Sequence, residues 1–169
     1  MKVLVTGAGA LLGQGIIRSL QAPELDVELV AVDPSPLSAG LYWAPKRYLV
    51  PMASDLEYLE AIESVLRTEH PDAVLVGTDV ELKVFAAHRE RLEAQFGTQI
   101  VVARPQAIAI ADDKHLTCQF LSEHGFWPPE TRLAAQAEQL VSRCGFPLVV
   151  KPRIGARSVG FSVVWNEQE

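Results

Sequence analysis

Apolar positions in the first hundred residues fall into short runs separated by longer, helically spaced stretches. Val3 to Val5 is the first run, and Gly7 to Gly13 follows it. Ile16, Ile17 and Leu20 then recur at helical spacing, with Pro23 as the stop. Val27 to Val32 predicts a second strand that ends at Asp33-Pro34. Pro34, Pro36, Gly40 and Pro45 predict a loop over 35–46, and Arg47 to Val50 a short strand. Ser54 and Glu57 have the spacing of a capping box, opening a helix whose apolar stripe is Leu56, Leu59, Ile62, Val65 and Leu66. Ala73 to Val76 predicts a buried strand. Leu82, Phe85, Leu92 and Phe96 mark a helix closed by Gly97, and Ile100 to Val102 another strand. Short strands rich in Val and Ile, alternating with helices, are the pattern of a parallel sheet covered on both faces. Residues 1–108 therefore predict a doubly wound α/β domain.

The pattern changes after Pro105. A helix is predicted from about Asp112 to His124, stopped by Gly125. Pro128-Pro129 enforces an extended segment. Ala137, Leu140, Val141 and Cys144 mark a second helix, with Gly145 as its stop. Phe146 to Pro152 and Phe161 to Trp165 predict two strands joined by a small-residue loop, hence an antiparallel hairpin. Asn166 to Glu169 read as the start of a further helix. Residues 109–169 predict a partial α+β unit.

Composition narrows the classes. The chain has 169 residues, 49% hydrophobic and 21% charged, which suits an ordinary globular protein rather than a disordered one. The formal net charge of −6 argues against a basic stripe for nucleic acid. No apolar run reaches the ~20 residues that span a bilayer. The N-terminus enters a strand directly, so a cytoplasmic protein is expected. Cys118 and Cys144 make no metal site at their spacing. Trp43, Trp127 and Trp165 read as packing residues, and the four histidines show no metal spacing.

Two segments carry candidate chemistry. The first is the strand–glycine turn–helix near the N-terminus. Gly7, Gly9 and Gly13, with Asp33 twenty residues beyond Gly13, fit the outline of a dinucleotide site. That reading gives an NAD(P)-dependent oxidoreductase or epimerase. The alternative is a turn that only packs strand against helix. Tyr42 and Lys46 have the spacing of a catalytic Tyr-x-x-x-Lys pair, but Pro45 forbids the helix that would align them. Asp33, Asp79 and Glu81 fall at the carboxyl ends of predicted strands, where open α/β sheets bind ligands. Asp79 also suits the cap of the following helix.

The second segment is Lys151 and the loop after it. Lys151 closes an apolar strand, and Gly155, Ala156, Ser158 and Gly160 let backbone amides turn toward an anion. Arg153 and Arg157 add positive charge. Lys114 stands at a helix start, a poor place for a cation unless a ligand rewards it.

These segments carry a family resemblance. Asp113-Lys114-x-x-Thr117-x-x-Phe120-Leu121, then Gly125-Phe126-x-x-Pro129-x-Thr131, resembles the entry to an ATP-grasp domain. Gly145 to Pro152, followed by Gly155-x-x-Ser158-x-Gly160, resembles its nucleotide-clamping lysine and phosphate loop. Upstream, Val32-Asp33-Pro34, Ala44 to Tyr48, Val50-Pro51 and Gly77-Thr78-Asp79-x-Glu81-Leu82 resemble the preceding domain of the carbamoyl-phosphate synthase large-chain-like group. The resemblance implies an ATP-dependent ligase. In it ATP phosphorylates a carboxylate or bicarbonate, and an amine or ammonia attacks the acyl phosphate. It implies that Lys114, Lys151, Gly155, Ala156, Arg157, Ser158 and Gly160 hold nucleotide phosphates, with magnesium completing the clamp. Gly9, Asp33, Asp79 and Glu81 become candidates for the substrate side, and the glycine-rich domain would not use NAD. The family's magnesium ligands lie beyond this hairpin, so no catalytic or metal residue is assigned within the chain, and no ligase activity is expected of it alone. Partners would be a small carboxylate and an amine. The uncovered face of the second unit could pair two copies as a homodimer.

Overall fold

The computed structural model describes residues 1–155 and 158–168. The chain divides into two compact units, Met1–Pro105 and Gln106–Glu169.

The first unit is a five-stranded sheet, all parallel, in the order β3-β2-β1-β4-β5. The strands are β1 (Lys2–Val5), β2 (Glu28–Asp33), β3 (Lys46–Leu49), β4 (Ala73–Leu75) and β5 (Gln99–Val101). The helices are α1 (Leu11–Leu20), α2 (Tyr58–Glu69) and α3 (Asp79–Phe96). Side chains alternate across each strand, and both faces of the sheet are apolar. Leu4, Val30, Val74 and Ile100 face Tyr58, Ile62 and Leu66 of α2 and Phe85 and Leu92 of α3. Val3, Val5, Leu29 and Ala31 face Ile17 of α1 and Leu41 of a 3₁₀ turn, Ala39–Trp43. That turn lies inside the segment expected to be loop. β1 is flanked by β2 and β4, so the connections diverge there, which marks the ligand crevice of this sheet type.

Two expected caps are not formed. The helix after Ser54 begins only at Tyr58, and Glu57 at its cap position makes no side-chain cap bond. Asp55 takes over the local hydrogen bonding, accepting from the Met52 amide at 3.0 Å through its side chain and from the Tyr58 amide at 3.1 Å through its carbonyl. Leu56 is consequently left outside the apolar stripe, fully exposed. At α3 the cap position belongs to Thr78, and Asp79 is the first helical residue. The Thr78 hydroxyl donates to Glu81 Oε2 at 2.7 Å instead of serving the helix amides.

The second unit contains α4 (Pro105–Asp112), which crosses its boundary, then α5 (Lys114–Glu123), α6 (Ala137–Cys144), and the strands β6 (Leu148–Val150) and β7 (Ser162–Val164). β6 and β7 pair antiparallel, with Val149 opposite Val163. The helix expected from about Asp112 to His124 is α5, with Asp113 extended as its cap and His124 closing it; α4 before it was not expected. Pro105 opens α4, where a missing N–H costs nothing. Residues 166–168 form a turn rather than a helix, closed by the Gln168 amide donating to Asn166 Oδ1 at 2.9 Å. Trp127 is 97% exposed and Trp165 65%, so neither is the packing residue expected; Trp43 lies half-buried under the Arg18 guanidinium.

Candidate functional site

The candidate phosphate site lies wholly in the second unit. Asp113 caps α5, its carboxylate accepting from the amides of His115 at 2.9 Å and Leu116 at 3.2 Å. The same carboxylate takes both arms of Arg153, with Nε donating to Oδ1 at 3.2 Å and Nη2 to Oδ2. Arg153 holds the Asp113 carboxyl below the usual carboxylate range, helped by the two amides, and Asp113 raises Arg153 in turn.

The next residue, Lys114, reaches the start of the loop. Its amide donates to the Arg153 carbonyl at 3.0 Å, and its Nζ to the Gly155 carbonyl at 2.8 Å. Lys151 follows the last residue of β6. Lys114, Lys151, Gly155, Ser158, Val159 and Phe161 line one cavity of about 200 Å³. Two ammonium groups and a turn of small residues around one space are a donor set for a polyanion. Gly160 keeps the neck of the hairpin narrow. It has φ +73, and a Cβ there would meet Pro152 Cγ at 2.8 Å. Ala156 and Arg157, both expected at this site, lie outside the described residues.

The structure thus brings Lys114, Lys151, Gly155 and Ser158 together and places Gly160 at the neck. Sequence reasoning placed Asp113 in the motif at the helix start but missed its pairing with Arg153. The signal available was an Asp at a helix cap. Arg153 was read only for its charge, because its partner is forty residues away. Among the described residues no three His, Cys, Asp or Glu side chains gather to hold a metal ion.

In the first unit, Asp33 ends β2 buried behind the glycine turn. It accepts from the Gly9 amide at 2.7 Å, the Ser35 amide at 2.9 Å and the Ser38 hydroxyl. The Ala8 amide donates to the Val32 carbonyl at 3.1 Å and the Ala10 amide to the Gly7 carbonyl at 2.9 Å. A Cβ at Gly13 would lie 2.1 Å from the Gly7 carbonyl oxygen. The three amides of residues 8–10 and the candidate ribose acid are all engaged within the protein. This favours the packing role of the turn over a dinucleotide site. Asp79 is exposed. Glu81 is 4% exposed and points into the core, accepting from Thr6 Oγ1 at 2.8 Å, the Tyr58 hydroxyl at 2.6 Å and Thr78 Oγ1 at 2.7 Å. It is a scaffold carboxylate, not one open to a ligand.

The profile of the PylC-like N-terminal domain family matches residues 3–101. The chain belongs to that family. It is also similar to carbamoyl phosphate synthase large chains over nearly its whole length. The large chain of Gemmatimonas aurantiaca is 26% identical, covering 99% of this chain and 16% of that protein. The N-terminal section of the Aquifex aeolicus large chain is 25% identical, covering 99% of this chain and 32% of that protein. The chain therefore spans a third or less of these curated relatives. Among solved structures, N5-carboxyaminoimidazole synthetase from Staphylococcus aureus complexed with ADP shares the fold, with TM-score 0.71, 19% identity, and coverage of 99% of this chain and 42% of that one. The biotin carboxylase domain of the Hydrogenobacter thermophilus 2-oxoglutarate carboxylase also shares it, with TM-score 0.71, 21% identity, and coverage of 99% and 38%. The α/β fold and the ATP-grasp resemblance both stand, and none of these proteins is an oxidoreductase by name. No helix among the described residues is long and apolar enough to cross a membrane.

Proposed function

We propose that this chain forms the N-terminal part of an ATP-dependent ligase joining a carboxylate or bicarbonate to an amine through an acyl phosphate. The observation that carries the reading is the meeting of Lys114 and Lys151 on one cavity beside Gly155 and Ser158. ATP supplies the phosphoryl group that activates the carboxylate. The two lysines neutralise phosphate charge, and the amides of Gly155, Ser158 and Gly160 face the β- and γ-phosphates. The names of the relatives support the reaction class, and the ADP in the Staphylococcus aureus structure and the MgADP in the Hydrogenobacter one support the nucleotide. Magnesium ligands would come from outside these residues. In the first unit the candidates for substrate contact are Gly9, braced by Asp33, and the exposed Asp79.

Titration calorimetry with ATP on the native and Lys151→Ala chains tests the reading. The native chain should bind ATP, and the variant should bind about tenfold more weakly, the scale of one charge-assisted hydrogen bond. Equal binding by both chains, or none by the native chain, would overturn it.

A further inference from the structure

We propose that the Asp113–Arg153 pair positions Lys114 and Lys151 on a common polyphosphate, a task separate from Asp113's capping of α5. The proposal rests on the phosphate-site reading above.

The geometry has three parts. First, the pair is forked, Arg153 meeting both oxygens of Asp113, and forked pairs fix direction as well as distance. Second, Asp113 and Arg153 are each adjacent in the chain to the parts that must converge. Asp113 directly precedes Lys114. Arg153 lies two residues after Lys151 and two before Gly155. Third, the two backbones are stitched at the same place, by the Lys114 amide on the Arg153 carbonyl and Lys114 Nζ on the Gly155 carbonyl. The fork therefore locks the first turn of α5 to the strand-to-loop junction, and the spacing of the two ammonium groups follows from it.

Stability does not account for the pair. The Arg153 side chain is 50% exposed although that of Asp113 is only 9%, and an ion pair with its cation open to water adds modestly to folding. Capping does not account for it either. The cap needs only an oxygen facing the His115 and Leu116 amides, which an asparagine would supply as well. The arginine is superfluous to the helix and necessary only to the alignment of the loop.

Charge alone and alignment predict opposite signs. Asp113→Asn keeps a good cap and removes a negative charge beside the cavity. By charge alone, a polyanion would bind that variant more tightly. Loss of the fork predicts weaker binding. Arg153→Lys keeps the charge and loses the fork, so alignment again predicts weaker binding. Asp113→Glu does the reverse of Asp113→Asn. It keeps a carboxylate within reach of Arg153 and sacrifices the cap, since glutamate is not among the preferred cap residues.

The experiment is calorimetric titration of the native chain and the three variants with ATP and with tripolyphosphate, alongside thermal unfolding of each. Asp113→Asn and Arg153→Lys should bind both ligands about fivefold or more weakly, with native unfolding midpoints. Asp113→Glu should bind at near-native strength with a lowered midpoint. Tighter or unchanged binding by Asp113→Asn overturns the inference and leaves the phosphate site standing. So does weakened binding by Asp113→Glu with full binding by Asp113→Asn, which would make the role purely a cap. No binding of either ligand by the native chain removes the phosphate site, and the inference with it.

Discussion

The Tyr58 hydroxyl donates to Glu81 Oε1 at 2.6 Å, joining α2 to α3 inside the core of the first unit. Burial pushes the Tyr58 hydroxyl well above its ordinary range, and the neighbouring Glu81 charge and hydrogen bond add to this. It is a neutral donor throughout the working range of pH. Tyr58→Phe should leave one carboxylate oxygen without a donor and cost about 1–3 kcal/mol, read by urea unfolding. Glu81→Ala should cost more, because Thr6 and Thr78 lose their acceptor as well. If Glu81→Ala unfolds at native urea concentrations, the scaffold role is wrong.

Glu69 gives the first unit an acid-sensitive clasp. It accepts from Lys46 Nζ at 2.8 Å, from the Tyr48 hydroxyl and from Lys2 Nζ at 3.2 Å. Led by the Lys46 bond, these partners lower its carboxyl from 4.5 to about 2. The folded state therefore binds the ionised form more strongly than the unfolded chain does. The stability this supplies is complete above about 4.5 and is lost as pH falls toward 2. Glu69→Gln should flatten the dependence of stability on pH in that window and leave its shape unchanged between about pH 6 and 9, below the range where Lys46 and Tyr48 titrate. A variant with the native acid slope would contradict this.

Leu56 and Ile62 belong to one predicted stripe, yet only Ile62 is buried. Leu56→Ser should shift stability by less than about 0.5 kcal/mol. Ile62→Ala should cost about 2–5 kcal/mol by opening a cavity against β-strand side chains. Chemical denaturation of the two variants side by side checks both statements.

Gly160→Ala should act on the loop alone. Its positive φ and the 2.8 Å approach to Pro152 leave no room for a methyl group. ATP affinity should fall, while the urea midpoint of the first unit stays native. Unimpaired ATP binding would show that the neck of the hairpin is not part of the site.

The sheet was legible because its strands are buried on both faces, so Val3 to Val5 and Leu29 to Val32 read as unbroken apolar runs. The α5–loop site was legible in part, since Lys114 and Lys151 occupy places where a cation is otherwise unexpected. What failed was local competition between neighbours. Asp55 displaced Ser54, and Thr78 turned from the helix amides toward Glu81, outcomes that spacing rules do not rank. The Asp113–Arg153 fork escaped for a different reason: no local pattern encodes a pairing across the whole second unit.

Burial is divided unevenly between the two units. Val3, Leu4, Val5 and Val74 are sealed between layers, whereas Val149, Val150 and Val163 in the hairpin are each more than 40% exposed. Hydrogen exchange should therefore run on two clocks. The β1 and β4 amides should exchange only when the whole first unit opens, and those of β6 and β7 far sooner. A protease added in trace amounts should respect the same division, trimming the second unit while the first persists.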